Sequence, residues 1–139
     1  MIVLDSSAVV AMILREAGAD RITQGLAGAP AEERLMSVAN YVEAGTVLAG
    51  RHRKPSEGVA DLDHFLDEFG ITLVAVDLDQ ARLAMRARIQ FGRGFGAAAK
   101  LNFGDCFAYA LAKARDAPLL YVGNDFANTD VVPAIAAIG

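Results

Sequence analysis

Four acids stand where an apolar run gives way to a turn or to the start of a helix. Asp5 closes "MIVLD", Glu43 lies in "NYVEAGTVL", Asp105 sits in "LNFGDCFAYALAK", and Asp125 falls in "YVGNDFANTD". Each has a structural explanation of its own. "DSSA" suits a helix N-cap at Asp5, and Asn40 with Glu43 has the spacing of a capping box. Asn102 can cap the helix that Asp105 enters at its third position, where the helix dipole favours an acid. Turn chemistry accounts for part of the Asn and Asp content around Asp125. Asp105 is the hardest to dismiss. Phe103, Cys106, Phe107, Ala108, Ala110, Leu111 and Ala112 leave its helix almost no polar face. Burying an ionised carboxylate is costly unless it is paired, hydrogen-bonded or bound to a cation. If the four acids meet, each raises the pKa of its neighbours. A hard divalent cation removes that penalty, and Mg²⁺ or Mn²⁺ prefers oxygen ligands and keeps several waters. The chemistry predicted is a carboxylate-built metal site, with Asp105 facing the ion.

The elements must bring these acids together. "MIVLD" reads as a buried, parallel-type strand. "SSAVVAMILREAG" is a helix stopped by Gly18, and "ADRITQGLAGAP" a second, short one. "ERLMSV" is the next strand, followed by a helix over "ANYVEAGTVLAGRHRKP" that Pro55 ends. Val59, Leu62, Phe65, Leu66 and Phe69 give "SEGVADLDHFLDEFG" an amphipathic helical spacing. "ITLVAV" is the third strand and "DLDQARLAMRARIQFG" another helix, with Asp77 and Gln80 at capping-box spacing. "RGFGAAAK" is a loop, the Asp105 helix follows, and "PLLYVG" is the fourth strand. "VVPAIAAI" is a weak last strand broken by Pro133. Strands alternating with helices indicate an α/β domain with a mainly parallel sheet. In such sheets sites form beyond the carboxyl ends of the strands, which is where three of the four acids fall.

At 139 residues the chain is expected to be one domain over 1–139, and with 54% hydrophobic and 22% charged residues it has enough for a sizeable core. No apolar run approaches the roughly 20 residues that span a bilayer. The start lacks the basic region and small-residue cleavage site of a signal peptide, so a cytoplasmic protein is expected. A single cysteine, Cys106, excludes an intrachain disulfide and any multi-cysteine zinc site. The net charge of −4 lacks the basic footprint of a general nucleic-acid binder. It does not argue against an enzyme acting on nucleic acid, since a carboxylate metal site is itself acidic. His52 and His64 read as surface residues without metal-ligand spacing. There is no nucleophile-elbow motif and no Walker-type loop.

With these pieces assembled, the chain resembles the PIN-domain ribonucleases, and more narrowly the VapC toxins of bacterial toxin–antitoxin pairs. The matching stretches are "MIVLDSSAVVAMIL", "NYVEAGTVL", "LNFGDCFAYALAK" and "LLYVGNDFANTDV", in the family's order and across essentially the whole chain. The resemblance implies a PIN-like three-layer α/β/α domain with a central, mainly parallel sheet of four to five strands flanked by helices. It puts the family's acidic quartet on Asp5, Glu43, Asp105 and Asp125, with Ser6, Asn124, Thr129 and Asp130 in support. It implies cleavage of RNA, either tRNA or rRNA, with Mg²⁺ or Mn²⁺ as the cofactor. Asp5 and Asp105 are then the main metal ligands. Glu43 and Asp125 hold water of the metal's shell, and one of them takes a proton from the attacking water. Two metals about 3.5–4 Å apart could clamp both ends of an in-line displacement. Four coupled carboxylates titrate as a group. The expected partners are the RNA substrate, a cognate VapB-type antitoxin and a second copy of the chain, with no membrane.

Basic residues cluster in "RHRK" at 51–54, which reads as a helix C-terminus, and in "ARLAMRARIQFGRGFGAAAK". There Arg93 and Lys100 bracket a Gly/Ala loop leading to Asp105 and are the candidates for RNA contact. Val9, Val10, Met12, Ile13 and Leu14 on the first helix suit an interface, though core packing explains them as well. Two other functions use similar parts. A phosphotransfer domain would want a second acid beside the first strand or a D-x-D, but position 7 is serine and "YVGND" offers no lysine. A PIN scaffold kept only for binding would not need the complete quartet.

Overall fold

Side-chain alternation along short strands sets the layers of the molecule. The computed structural model describes residues 1–96 and 98–136. Among them, strands β1 (Ile2–Leu4), β2 (Arg34–Ser37), β3 (Thr72–Val74) and β4 (Leu119–Leu120) form one sheet in the order β3-β2-β1-β4. All neighbours are parallel, with Val3 opposite Leu35 and Leu119, and Leu4 opposite Leu120. Ile2, Leu4, Met36 and Leu120 point to one face and Val3, Leu35 and Leu119 to the other, as the two-residue period requires.

Helices cover both faces. On the first, α1 (Ser6–Ile13), α2 (Ala19–Ala27), α3 (Val38–Gly50) and α4 (Pro55–Glu68) bury Val9, Ile22, Leu26, Leu48 and Leu62 against the sheet. On the second, α5 (Leu78–Phe91) and α6 (Phe103–Ala114) bury Ala84, Ala87, Cys106, Ala108 and Leu111. This is the three-layer α/β/α arrangement that the resemblance implies. Val9 and Met12 of α1 are buried, and Val10, Ile13 and Leu14 pack on the same cluster, so that helix spends its apolar side chains on the core. No helix among the described residues is long and apolar enough to cross a membrane.

Strand order decides where a site can form. The chain runs outward from β1 to β2 to β3, then crosses back to place β4 on the other side of β1. The switch point between β1 and β4 leaves a crevice at their carboxyl ends. Asp5 follows β1 and Asp125 follows β4. Asp105 starts α6, inside the connection that makes the crossing.

Three boundaries differ from the expected ones for local reasons. The helix after β2 begins at Val38, because the Ser37 hydroxyl accepts from Ala39 N and so provides the cap that was expected of Asn40. The fourth strand stops at Leu120, because Val122 N donates to the Ser7 hydroxyl instead of continuing the ladder. The expected last strand is only a bridge between Leu119 and Pro133, so the sheet has four strands among the described residues. Leu119 N donates to the Val132 carbonyl and Ala134 N to that of Leu119, which leaves Pro133 where no N–H is needed. Residues 137–139, the end of that expected strand, lie outside the described residues. So does Ala97, in the expected 93–100 loop.

The α3–α4 pair depends on one close approach. A Cβ on Gly58 of α4 would overlap the Leu48 carbonyl of α3. Alanine would gain about 1 kcal/mol in helix propensity, but separating two packed helices costs about 1–3 kcal/mol. Gly58→Ala is expected to lower the urea midpoint with the m-value unchanged; an equal or higher midpoint would show that the helices can part freely.

Candidate active site

Asp5 is both a helix cap and a buried carboxylate. Its Oδ2 accepts from Ser7 N at 3.0 Å and from the Ser7 hydroxyl at 2.6 Å. The same hydroxyl accepts from Val122 N at 3.0 Å, so Ser7 ties the first acid to the strand that leads to Asp125. The other oxygen, Oδ1, is buried and has no hydrogen-bond partner among the described residues.

Glu43 shows the same division of labour. Its Oε1 accepts from the Ser6 hydroxyl and, at 3.2 Å, from Asn40 Nδ2. Asn40 is fully buried and also donates to the Gly104 carbonyl at 2.9 Å. It therefore fastens α3, which carries Glu43, to the first turn of α6. A Cβ on Gly104 would overlap the Glu43 carboxylate. Only glycine lets this carboxylate lie against the helix that holds Asp105.

Asp105 belongs to a reciprocal capping box. Its N–H donates to Asn102 Oδ1 at 2.8 Å, and its Oδ2 accepts from Asn102 N at 2.9 Å. Asp5, Glu43 and Asp105 thus each commit one oxygen to holding the carboxylate in place. Asp77 is a contrast. It accepts from Gln80 N at 2.8 Å, while the Gln80 amide turns away to the Ala75 carbonyl, so it caps α5 and does nothing else.

The acids feel one another. Burial pushes the Asp5 carboxyl up to about 6 against the lowering effect of Ser7, with Glu43 adding a further upward push. Burial pushes Asp105 up to about 8, and Asp5, Asp125 and Glu43 all raise it. Asp125 is half-buried and is held near the others by its neighbour Phe126, which is buried against Tyr121 with ring centroids 5.0 Å apart.

The remaining candidates lie outside this cluster. Ser6 is in contact with it through Glu43, and Asn124 is exposed. Thr129 donates to the Phe126 carbonyl at 2.7 Å and shapes the turn after Asp125. Asp130 accepts from the Tyr109 hydroxyl at 2.7 Å and pairs with Lys113 at 3.0 Å. These contacts hold its carboxyl below the usual range and bolt the segment after β4 to α6. Arg93 and Lys100 are exposed. His52 meets Asp61 at 3.1 Å, and His64 lies on the surface beside Glu68. Phe103, expected on a buried helix face, is 72% exposed.

Sequence reasoning passed over Ser7, Asn40 and Gly104 as positioning residues. A serine two places after a capping acid is the signal for Ser7. For Asn40 the signal was Ser37, a better cap three residues earlier. Gly104 carried no local signal, since its neighbour Glu43 is distant in sequence.

A buried carboxylate oxygen without a partner among the described residues, beside a second carboxyl pushed up to about 8, fits a cation. The donors are all oxygen, which suits a hard ion. No three His, Cys, Asp or Glu among the described residues form a metal-binding cluster. Mg²⁺ is commonly held by one or two carboxylates and completes its shell with waters and substrate phosphates. Asp5 through Oδ1 and Asp105 through its uncommitted oxygen are the residues that would hold such an ion.

The carboxylates of Asp5, Glu43, Asp105 and Asp125 gather at the switch point of a parallel α/β sheet. Known proteins place it more narrowly. The PIN domain model matches residues 2–132. A VapC ribonuclease of Mycobacterium bovis is 42% identical over 132 residues, 95% of this chain and 98% of that one. Among solved structures, VapC20 of Mycobacterium tuberculosis, a sarcin–ricin-loop-cleaving toxin, superposes with a TM-score of 0.75 at 15% identity, over 95% of this chain and 97% of that one. VapBC2 of Rickettsia felis, bound to a DNA fragment from its promoter, gives a TM-score of 0.69 at 17% identity, over 99% and 97%. The chain belongs to the PIN domain family and, within it, to the VapC ribonucleases.

The raised carboxyls carry a sign. Native Asp5 and Asp105 keep protons that the unfolded chain releases near pH 4. Metal-free stability therefore falls as pH rises from about 4 through about 8. Asp105→Asn retains the capping acceptor and removes the charge. In EDTA it is expected to melt above the wild type at pH 8.5, with the gap narrowing toward pH 5; a lower melting temperature at pH 8.5 would mean that the acids do not repel. Gly104→Ala is expected to displace Glu43 and lower ribonuclease activity about 10–100-fold while the melting temperature changes little.

Proposed function

We propose that this chain is a Mg²⁺- or Mn²⁺-dependent endoribonuclease, the toxin of a type II toxin–antitoxin pair, that hydrolyses phosphodiester bonds in tRNA or rRNA. The observation that carries this reading is the buried Asp5 Oδ1, which has no hydrogen-bond partner among the described residues, beside Asp105, whose carboxyl Asp5, Asp125 and Glu43 all raise. A divalent cation there would supply positive charge for the phosphate oxygens and an acidified water.

The chain's own residues do the rest by position. Ser7 fixes the rotation of Asp5 by holding Oδ2 and leaves Oδ1 uncommitted. The Asn102 box does the same for Asp105. Ser6 and Asn40 hold one oxygen of Glu43 and leave the other to orient water. Asp125, on a loop and half-exposed, is the acid best placed to accept the proton of the attacking water and pass it to solvent. Such preorganisation avoids reorganising the site during the reaction.

The partners proposed are a VapB-type antitoxin that inhibits cleavage and a second copy of the chain, within the cytoplasm. Arg93 and Lys100, exposed beside the Asp105 helix, are proposed to meet RNA phosphates.

The test uses purified chain freed of antitoxin, end-labelled total tRNA and rRNA fragments, and Mg²⁺, Mn²⁺ or EDTA. Discrete cuts are expected that need metal and disappear in Asp5→Ala and Asp105→Asn. Cleavage that survives in both variants, or persists in EDTA, would overturn the assignment. So would failure of Mn²⁺ to bind by calorimetry in a manner that depends on Asp5 and Asp105.

A further inference from the structure

Between Asp79 and Asp105 the sequence carries Arg82, Arg86, Arg88, Arg93 and Lys100 and no acid, in a chain of net charge −4. This stretch delivers the chain to the acidic centre. Its loop is closed at the neck by a bridge between Gly92 and Leu101. Arg93 N donates to the Leu101 carbonyl at 2.9 Å, and Leu101 N to that of Phe91 at 3.1 Å. Leu101 directly precedes Asn102, so the base of the loop is fastened one residue before the capping box that orients Asp105.

Arg88 organises what the loop presents. Its Nη1 donates to the Arg93 carbonyl at 2.9 Å, and its guanidinium lies 5.3 Å from the centre of the Phe95 ring. A Cβ on Gly92 would overlap Arg88, so glycine makes room for this reach. Arg88 also lines, with Phe103, Cys106 and Phe107, a cleft between α5 and α6. Phe95 is 56% exposed and Phe103 72% exposed. Two open phenyl rings thus neighbour Arg88, one at its guanidinium and one lining the same cleft, and the second ring stands two residues before Asp105.

We propose that Phe95 stacked on Arg88, with Phe103 in the cleft that Arg88 also lines, is a platform on which unpaired RNA bases next to the scissile phosphate stack. The inference rests on the ribonuclease reading and deepens it. Proteins read RNA most readily where bases are unstacked and can lie on aromatic rings or Arg planes. Cations beside such rings take the phosphates. Every base has a π-face, so a platform of this kind selects for an unpaired strand rather than for a particular base. Its work is in substrate affinity, and its loss should appear in KM.

The chain has no tryptophan, so Phe95→Trp creates a single reporter. In an Asp105→Asn background it is titrated with total tRNA and with rRNA fragments, while RNA-label anisotropy follows binding independently. Quenching is expected to track the anisotropy, and an exposed control, Leu78→Trp, is expected to stay unquenched. In cleavage assays with Asp105 intact, Phe95→Ala is expected to raise KM about tenfold with kcat within about twofold and the melting temperature unchanged; Phe95→Tyr restores KM.

Anisotropy that rises without quenching overturns the platform. A loss confined to kcat that Phe95→Tyr does not rescue also overturns it, since that marks a loop fastener. A change of oligomeric mass in Phe95→Ala with RNA binding intact overturns it as well and assigns the ring to a contact between copies. No anisotropy change with either RNA overturns the ribonuclease reading and the inference together, an outcome distinct from the other three.

Discussion

The constraint on which the rest depends is mutual repulsion among acids that the strand order forces into one crevice. A parallel sheet whose chain runs outward from β1 and then returns to its other side delivers Asp5, Asp125 and the start of α6 to the same edge. Burial then raises Asp5 to about 6 and Asp105 to about 8. Left to itself, such a site keeps a proton on Asp105 at neutral pH. The surrounding structure holds the carboxylates rather than relieving them: Ser7 on Asp5, Ser6 and Asn40 on Glu43, Asn102 on Asp105. In each case one oxygen is immobilised and the other left uncommitted. A site meant only for stability would pair its charges or replace them with apolar side chains.

Capping and chemistry are therefore not competing explanations of these acids. Asp5 caps α1 and Asp105 completes a box on α6, yet both remain part of the acidic cluster. The cap fixes the side-chain rotation, which fixes where the open oxygen points. Asp77 makes the same kind of cap at an exposed helix start and has no acid crowding it. Burial next to other acids, and not the cap, separates the two outcomes.

The charge of the molecule is divided in the same spirit. An acidic centre repels the polyanion that it must cut, so affinity has to come from elsewhere on the surface. The run from Arg82 to Lys100 carries cations without acids and joins directly to the helix that bears Asp105. Arg88 reaches back to this run through the Arg93 carbonyl and the Phe95 ring.

The sequence by itself determined the alternation of strands and helices and the acids at the carboxyl ends, because apolar periodicity and strand-end placement are local properties; the three-layer arrangement was what the family resemblance implied. Asp77 as a cap, the Asn102–Asp105 box and the core role of α1 were legible for the same reason. Only the tertiary structure decided that Ser37 caps α3 and frees Asn40 to clasp Glu43 and Gly104, that β4 ends where Ser7 takes the Val122 N–H, that the expected last strand is a single bridge, and that Phe103 faces outward. The Asn40–Gly104 and Ser7–Val122 contacts join residues 64 and 115 positions apart, and the outward turn of Phe103 depends on which face meets the core; such long-range proximity leaves no mark in local pattern. Gly104 shows the limit most clearly: nothing near it in sequence asks for glycine, and the carboxylate that does comes from another helix, across the site.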